Sequence, residues 1–258
     1  MTSSIQELYE PCVRDARRIL SEHPTMVALL DPAIHPVVLE RFLIQFCAMG
    51  VQMTRPVSGW IRRAGERCLE LGLGEIGHSL VKHAAHEEGH DLMLVNDAQL
   101  LVSRWNERGS KRRLEVDVLL AAPATPAIEA YARLHEETIE SDMPYGQVAI
   151  ELEIERMSTT FGPQQLALCK RVLGVNILKG LSFIEEHVAL DVGHTALNEK
   201  IMARVLSARP DAALRLAEIG GAALRAYVRF FGECLEVAYA DVAQSGGAHG
   251  RVMASTQS

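Results

Sequence analysis

The stretch Phe183-Ile184-Glu185-Glu186-His187-Val188-Ala189-Leu190-Asp191-Val192-Gly193-His194-Thr195-Ala196-Leu197-Asn198-Glu199 lies in a long run without proline and sets His187, Asp191 and His194 at i, i+4 and i+7. At about 100° per residue these side chains fall within roughly 60° of one another on a helix face. Three metal-ligand types therefore point one way. Leu181, Ile184, Ala189, Leu190 and Val192 flank them, so the face looks into the protein and reads as one wall of a buried metal site.

Helical spacing continues in both directions. Pro11 opens a helix over 11–22 that ends near His23-Pro24, after a short lead-in through Leu8. Proline-punctuated helices follow at 36–54 and 56–72, closed by the turn Leu71-Gly72-Leu73-Gly74. A long helix at 75–106 carries a second histidine cluster: His78, His83, His86, Glu87, Glu88, His90 and Asp97. A short helix at 111–121, another at 126–141, one from Pro144-Tyr145-Gly146 to Phe161 ended by Gly162-Pro163, and helices at 163–173, 177–207 and 210–243 complete the pattern. Strand-like alternation is essentially absent. The expected architecture is an all-α bundle of roughly seven to nine helices, forming one domain over 1–243. The small, polar, Gly-rich segment 244–258 is expected to be a disordered tail.

Composition narrows the function. The chain has 258 residues, 48% of them hydrophobic, enough for a sizeable core. A net charge of -7 offers no basic face for nucleic acid. Cys12, Cys47, Cys68, Cys169 and Cys234 are scattered, without a CxxC, which matches neither a disulfide framework nor a zinc site and fits a reduced cytoplasm. No signal pattern and no apolar run approaching 18 residues is present, so a soluble, cytoplasmic protein without membrane association is expected.

In the second cluster Glu87 and His90 are i, i+3 and share a face, the Glu-x-x-His spacing with which helix bundles hold di-iron centres. Taken singly, His78, His83 and His86 read as packed or surface residues. Between Val148 and Met157, Glu151 and Glu155 share one face of a mainly apolar segment and Glu153 the opposite one. Either Glu151 or Glu155 completes a set of three carboxylates and three imidazoles with Glu87, His90, His187, Asp191 and His194. Mixed oxygen and nitrogen ligation suits iron or manganese. Three carboxylates beside two divalent ions leave a net +1, which would attract a carboxylate-bearing substrate. Gly89 and Gly193 each precede the last histidine of their cluster; mid-helix glycine costs about 1 kcal/mol relative to alanine, so a close approach to the backbone by a neighbouring helix, dioxygen or substrate is expected there.

Three segments carry a resemblance: His83-Ala84-Ala85-His86-Glu87-Glu88-Gly89-His90-Asp91-Leu92-Met93, Glu155 through Gly162-Pro163, and His187-x3-Asp191-x2-His194-Thr195. The pattern, over residues from about 20 to 240, resembles the heme-oxygenase-like di-iron oxidases and oxygenases, related in fold to the TenA and PqqC proteins. The resemblance implies two Fe(II) ions, with manganese as a substitute, held by Glu87, His90, Glu155, His187, Asp191 and His194. It favours Glu155 over Glu151, because such proteins place this glutamate several residues ahead of a Gly-Pro pair. It further implies dioxygen as co-substrate and oxidation of a small molecule of amino-acid or fatty-acid type in natural-product metabolism, by N-oxygenation, desaturation or C–C cleavage. An external electron donor and a homodimer are expected partners. His83 stands where some relatives have a carboxylate, a departure from the pattern. The competing readings are a cofactor-independent enzyme of the TenA/PqqC type and a non-catalytic iron-binding protein.

Overall fold

Proline sets the first turn of four helices, where its missing N–H costs nothing. At His23-Pro24 and His35-Pro36 the preceding histidine serves as N-cap: Nδ1 accepts from Thr25 N at 3.2 Å and from Val37 N at 3.3 Å. Thr125 does the same ahead of Pro126, through Ile128 N. These histidines are thus committed to helix ends.

The computed structural model describes residues 4–108 and 112–250, without the side chains of 190–192, 194 and 244–250. A π-helical turn at Ile5–Tyr9 leads into α1 (Glu10–Glu22), followed by α2 (Pro24–Leu30), α3 (Pro36–Thr54), α4 (Val57–Glu70), α5 (Gly74–Ala84) and α6 (His90–Glu107). The chain continues as α7 (Val116–Leu120), α8 (Pro126–Glu140), α9 (Gln147–Leu173), α10 (Ser182–Ala208) and α11 (Ala213–Gly250), with short 3-10 turns before α9, α10 and α11. Among the described residues there is no strand, so the all-α expectation holds. Part of the tail segment 244–258 belongs to α11, and 251–258 lies outside the described residues.

Helix α3 is the centre. It is buried along nearly its whole length and packs against α6 and α11. The window of Pro36–Glu70 apolar enough to match a membrane span is 72% buried inside the protein, as a core helix is. The charges on α3 are paired: Glu40 with Arg104 and Arg108, and Arg41 with Asp241 at 2.6 Å. Around it, α4 packs on α5, α9 along α10, and α11 against α1, α3, α8 and α9.

The sequence reading missed α2 and started α10 some residues early, and beside the site two further boundaries differ from the expectation. The helix expected over 75–106 is broken between Ala84 and His90. Conversely, α9 runs through Gly162-Pro163, where an end was expected. Proline removes one hydrogen bond there, but α10 packs along α9 across the same place and holds the two halves in line. Val188 lies so close to Gly162 that a side chain at 162 would collide with it. The glycine marks a helix crossing, not a helix end.

The outer face of α9 is anchored by charge. Glu153, 1% exposed, accepts two hydrogen bonds from Arg17, both at 2.6 Å, and one from Tyr9 at 3.0 Å. Glu10 joins Arg17 to Arg156, and Arg156 reaches Glu199 on α10. One chain of ion pairs therefore ties α1 to α9 and α10, the two helices that carry much of the site. Removing one partner strands a buried carboxylate, so Arg17→Ala is expected to cost about 3 kcal/mol in denaturant unfolding; a loss below about 0.5 kcal/mol, the range of ordinary surface substitutions, would show that the network does not hold α1 in place.

Candidate metal centre

Gly89 explains the break between α5 and α6. Its φ of +89° is left-handed, a conformation that costs other residues about 1–2 kcal/mol, and it serves as the N-cap of α6. Nothing lies within 4 Å of the position a Cβ would take at Gly89 or at Gly193. Among the described residues no neighbouring helix therefore approaches either glycine. At Gly89 the requirement is a backbone angle; for Gly193 the structure supplies no reason.

Because the chain leaves the helical path at Ala85, the Glu87 carboxylate comes to lie between two imidazoles. One oxygen, Oε2, accepts from His90 Nδ1 at 2.9 Å, and the other, Oε1, lies 3.5 Å from His83 Nε2. His83 Nε2 is also 3.4 Å from Glu155 Oε1. On α10 the His187 ring meets that of His90 edge to face, centroids 4.7 Å apart. His187 Nδ1 lies 2.7 Å from the Phe183 carbonyl, so Nδ1 carries the proton that it donates there and Nε2 is left as the ligand atom. Asn198 Nδ2 donates to Glu155 Oε1 at 2.9 Å, and Gln147 Nε2 to Glu151 Oε1 at 2.6 Å.

Two groups of donor atoms result, each gathered within 4.8 Å: Glu87, His90 and His187, and His83, Glu87 and Glu155. Glu87 belongs to both. The donor sets, mixed carboxylate and imidazole without thiolate, fit a pair of first-row transition-metal ions. Of the sequence-derived ligands, Glu87, His90, Glu155 and His187 meet here. The side chains of Asp191 and His194 lie outside the described residues, although both positions belong to α10. Glu151 lies on the same α9 face but belongs to neither group.

Some members escaped sequence reasoning. His83, expected to be packed or at the surface, is fully buried in the second group, and its i+4 spacing to Glu87 was the available signal. Asn198 lies eleven residues after His187, about 20° away around the helix, so it extends the same stripe. His78 and His86 are exposed, as expected.

Protons balance the charge of the metal-free site. Burial alone would lower the His83 pKa, but hydrogen bonds to Glu155 and Glu87 and the charges of Glu151 and Glu155 raise it to about 10. Burial would raise Glu87, yet its bonds to His83 and His90 hold it well below the usual carboxylate range. Glu151 is pushed up to about 8 by burial, against the pull of His83 and with the repulsion of Glu87 and Glu155. At neutral pH His83 is an imidazolium and Glu151 a neutral acid.

A cavity of about 150 Å³ opens on these groups, walled by Phe42, Phe46, Phe161, Phe183 and Phe231 together with Met26, Leu29 and Ile154. Glu87, Glu151, Glu155 and His187 supply its charged and imidazole lining, and Tyr131 and Tyr227 its phenols. No lysine or arginine is among the described lining residues. Tyr145 and Trp105 pack in the core, as the sequence suggested.

Helix α10 is held in register by Asp97 on α6. Its carboxylate accepts from Ser182 N at 3.1 Å, Ser182 Oγ at 2.8 Å and Phe183 N at 2.9 Å, capping the helix that carries His187.

No family model matches the chain, and none of the curated proteins does. Among solved structures it is similar to a domain of unknown function with a heme oxygenase-like fold from Shewanella denitrificans OS217, with a TM-score of 0.71 and 16% identity over 94% of this chain and 95% of that one. It is also similar to a CADD-like protein of unknown function from Nostoc punctiforme PCC 73102, with a TM-score of 0.59 and 14% identity over 90% and 99% of the two chains. The fold is heme oxygenase-like.

Two outcomes test this geometry. Asp97→Ala leaves two N-terminal amides of α10 without their acceptor and is expected to cost about 1–2 kcal/mol, whereas Asp97→Asn, which keeps an acceptor oxygen, costs less; equal stability of all three chains would remove the cap from the account. For the metal-free chain, the folded His83 pKa of about 10 exceeds its ordinary 6.5, so its stabilisation is full below the latter value and is lost as pH rises through the former. The stability gap between wild type and His83→Gln should shrink from pH 6 toward pH 10, and a constant gap would contradict the ion pairs drawn here.

Proposed function

We propose that this chain is a non-heme di-iron oxidoreductase in which Glu87 is shared by both ions. The observation that carries the reading is that two donor groups meet at one carboxylate and open on an apolar cavity. His90 and His187 would complete one ion's protein ligands, and His83 and Glu155 the other's. The resemblance adds Asp191 and His194 from α10. Bound iron, with manganese as a substitute, would supply the activation of dioxygen for oxidation of a small molecule.

The chain's own residues do the rest. Phe183 fixes the His187 tautomer through its carbonyl, and Asn198 holds the Glu155 carboxylate. The phenyl-lined cavity excludes water and seats the apolar body of a substrate. Glu87, Glu155 and Asp191 would contribute three negative charges to such a centre, so two divalent ions among these ligands would leave the set at +1. No basic side chain among the described lining residues competes for a substrate carboxylate. This supports a carboxylate-bearing substrate whose charged end would lie at the metals and whose uncharged body would lie in the cavity. In the metal-free chain burial holds Glu151 as a neutral acid in the cavity wall, positioned to hold or give a proton. The same neutral acid beside His83 favours, as second reading, a cofactor-independent acid–base enzyme.

Anaerobic Fe(II) titration separates the two. The wild-type chain should take up two ions, His83→Ala and His187→Ala about one each, and Glu87→Ala neither with high affinity. Uptake should release protons, because His83 must lose its own. Absence of stoichiometric uptake by a folded chain, with turnover independent of metal, would move the assignment to the acid–base enzyme.

A further inference from the structure

Outside the ligand groups, one wall of the cavity leads to the surface through oxidisable rings. Tyr131, 1% exposed, lines the cavity and feels the charges of Glu151 and Glu87. Its ring meets Trp60 edge to face at 6.0 Å, and His135 flanks both, stacked on Trp60 at 4.1 Å and edge-on to Tyr131 at 4.4 Å. Burial lowers the His135 pKa to about 3, against its bond to Gln147, so this flanking ring is neutral. Trp60 is 6% exposed, and its indole Nε1–H donates to Glu136 Oε1 at 2.9 Å. Glu136 in turn makes a two-pronged ion pair with Arg63, both partners being solvent-exposed.

We propose that Tyr131 and Trp60 form a one-electron path between the cavity and the outer face of α4 and α8. Phenylalanine rings also touch across this core, Phe42 with Phe46 and Phe46 with Phe231 among them, but a phenyl ring has no accessible one-electron oxidation. Phenol and indole do, once their protons have acceptors, and both acceptors are present. When a one-electron oxidant of the ruthenium(III) polypyridyl class at the outer face removes an electron from Trp60, the Nε1 proton passes to Glu136. Tyr131 then returns an electron to the indole, whose nitrogen recovers its proton from Glu136. The phenolic proton of Tyr131 moves along its hydrogen bond to Tyr227, which is only partly buried and passes its own hydroxyl proton to solvent. One electron has reached the oxidant, and one neutral phenoxyl radical remains at the cavity wall. Run in the opposite sense, a one-electron reductant of the ascorbate class refills Trp60 and, through it, Tyr131.

The use of such a path rests on the redox reading above, but its test needs no metal. In the metal-free Tyr239→Phe chain, which lacks the half-exposed tyrosine, a photogenerated ruthenium(III) polypyridyl ion serves as oxidant. Electron paramagnetic resonance on frozen samples counts tyrosyl radicals, and transient absorption follows tryptophanyl decay. Trp60→Phe should lower the tyrosyl yield severalfold, and Glu136→Gln, a surface change that spares the fold, should lower it in the same direction. Trp105→Phe should leave it unchanged, and Tyr131→Phe should remove the tyrosyl signal while the tryptophanyl radical persists severalfold longer. An undiminished yield in Trp60→Phe and Glu136→Gln, or a tyrosyl signal that survives Tyr131→Phe, would overturn the proposal. A chain that binds two irons without this radical transfer would lose only the path; one that transfers the radical without binding iron would lose only the metal reading.

Discussion

Holding one carboxylate between two buried imidazoles requires the chain to abandon a helix at the place where histidine spacing would extend it. Glu87 bonds His90 through one oxygen and faces His83 with the other because the backbone turns at Ala85 and restarts at Gly89 with a left-handed angle. A continuous helix would place His83, Glu87 and His90 along one stripe, each facing outward from the same axis. The break brings the carboxylate round until both oxygens have partners. Everything packed around it answers that demand. Helix α9 brings Glu155 to His83, α10 brings His187 to His90, and Asp97 fixes where α10 begins.

Electrostatics decides what such a site can hold. Glu87, Glu151 and Glu155 are withdrawn from water with no lysine or arginine in the described cavity lining, a cost of several kcal/mol for each charge left uncompensated. In the metal-free chain protons provide the compensation: His83 is cationic and Glu151 neutral. Two divalent ions at the shared carboxylate would supply the same positive charge more locally. The guanidinium groups of Arg17 and Arg156 are spent on the opposite face of α9, against Glu153, Glu10 and Glu199. Cations thus secure the scaffold on one side of the helix and leave the other side to metals.

The helical spacing made the architecture legible: periodic apolar positions, prolines at helix starts and the absence of alternation all point to the helices observed. Beside the site the pattern misplaced two boundaries, for opposite reasons. Glu-Glu-Gly-His reads as mid-helix because a single glycine costs little, yet Gly89 adopts the one angle that ends α5 and starts α6. Gly162-Pro163 reads as a stop, yet the packing of α10 carries α9 through it. The site was legible where ligands recur at i, i+3, i+4 and i+7, and opaque where partnership comes from another helix. His83 looked ordinary alone, since Glu155 meets it only in three dimensions. The cap from Asp97 to Ser182 and Phe183 spans 85 and 86 residues, a separation that no periodicity reports.

Glu87 as the shared ligand is the point on which the metal reading turns. Crystals of the iron-loaded chain, measured on either side of the iron absorption edge, would locate the ions without reference to activity. Two anomalous peaks are expected, one beside His90 and His187 and the other beside His83 and Glu155, with a different oxygen of Glu87 reaching each. A single peak, or two peaks with Glu87 turned away and Glu151 in its place, would contradict the account.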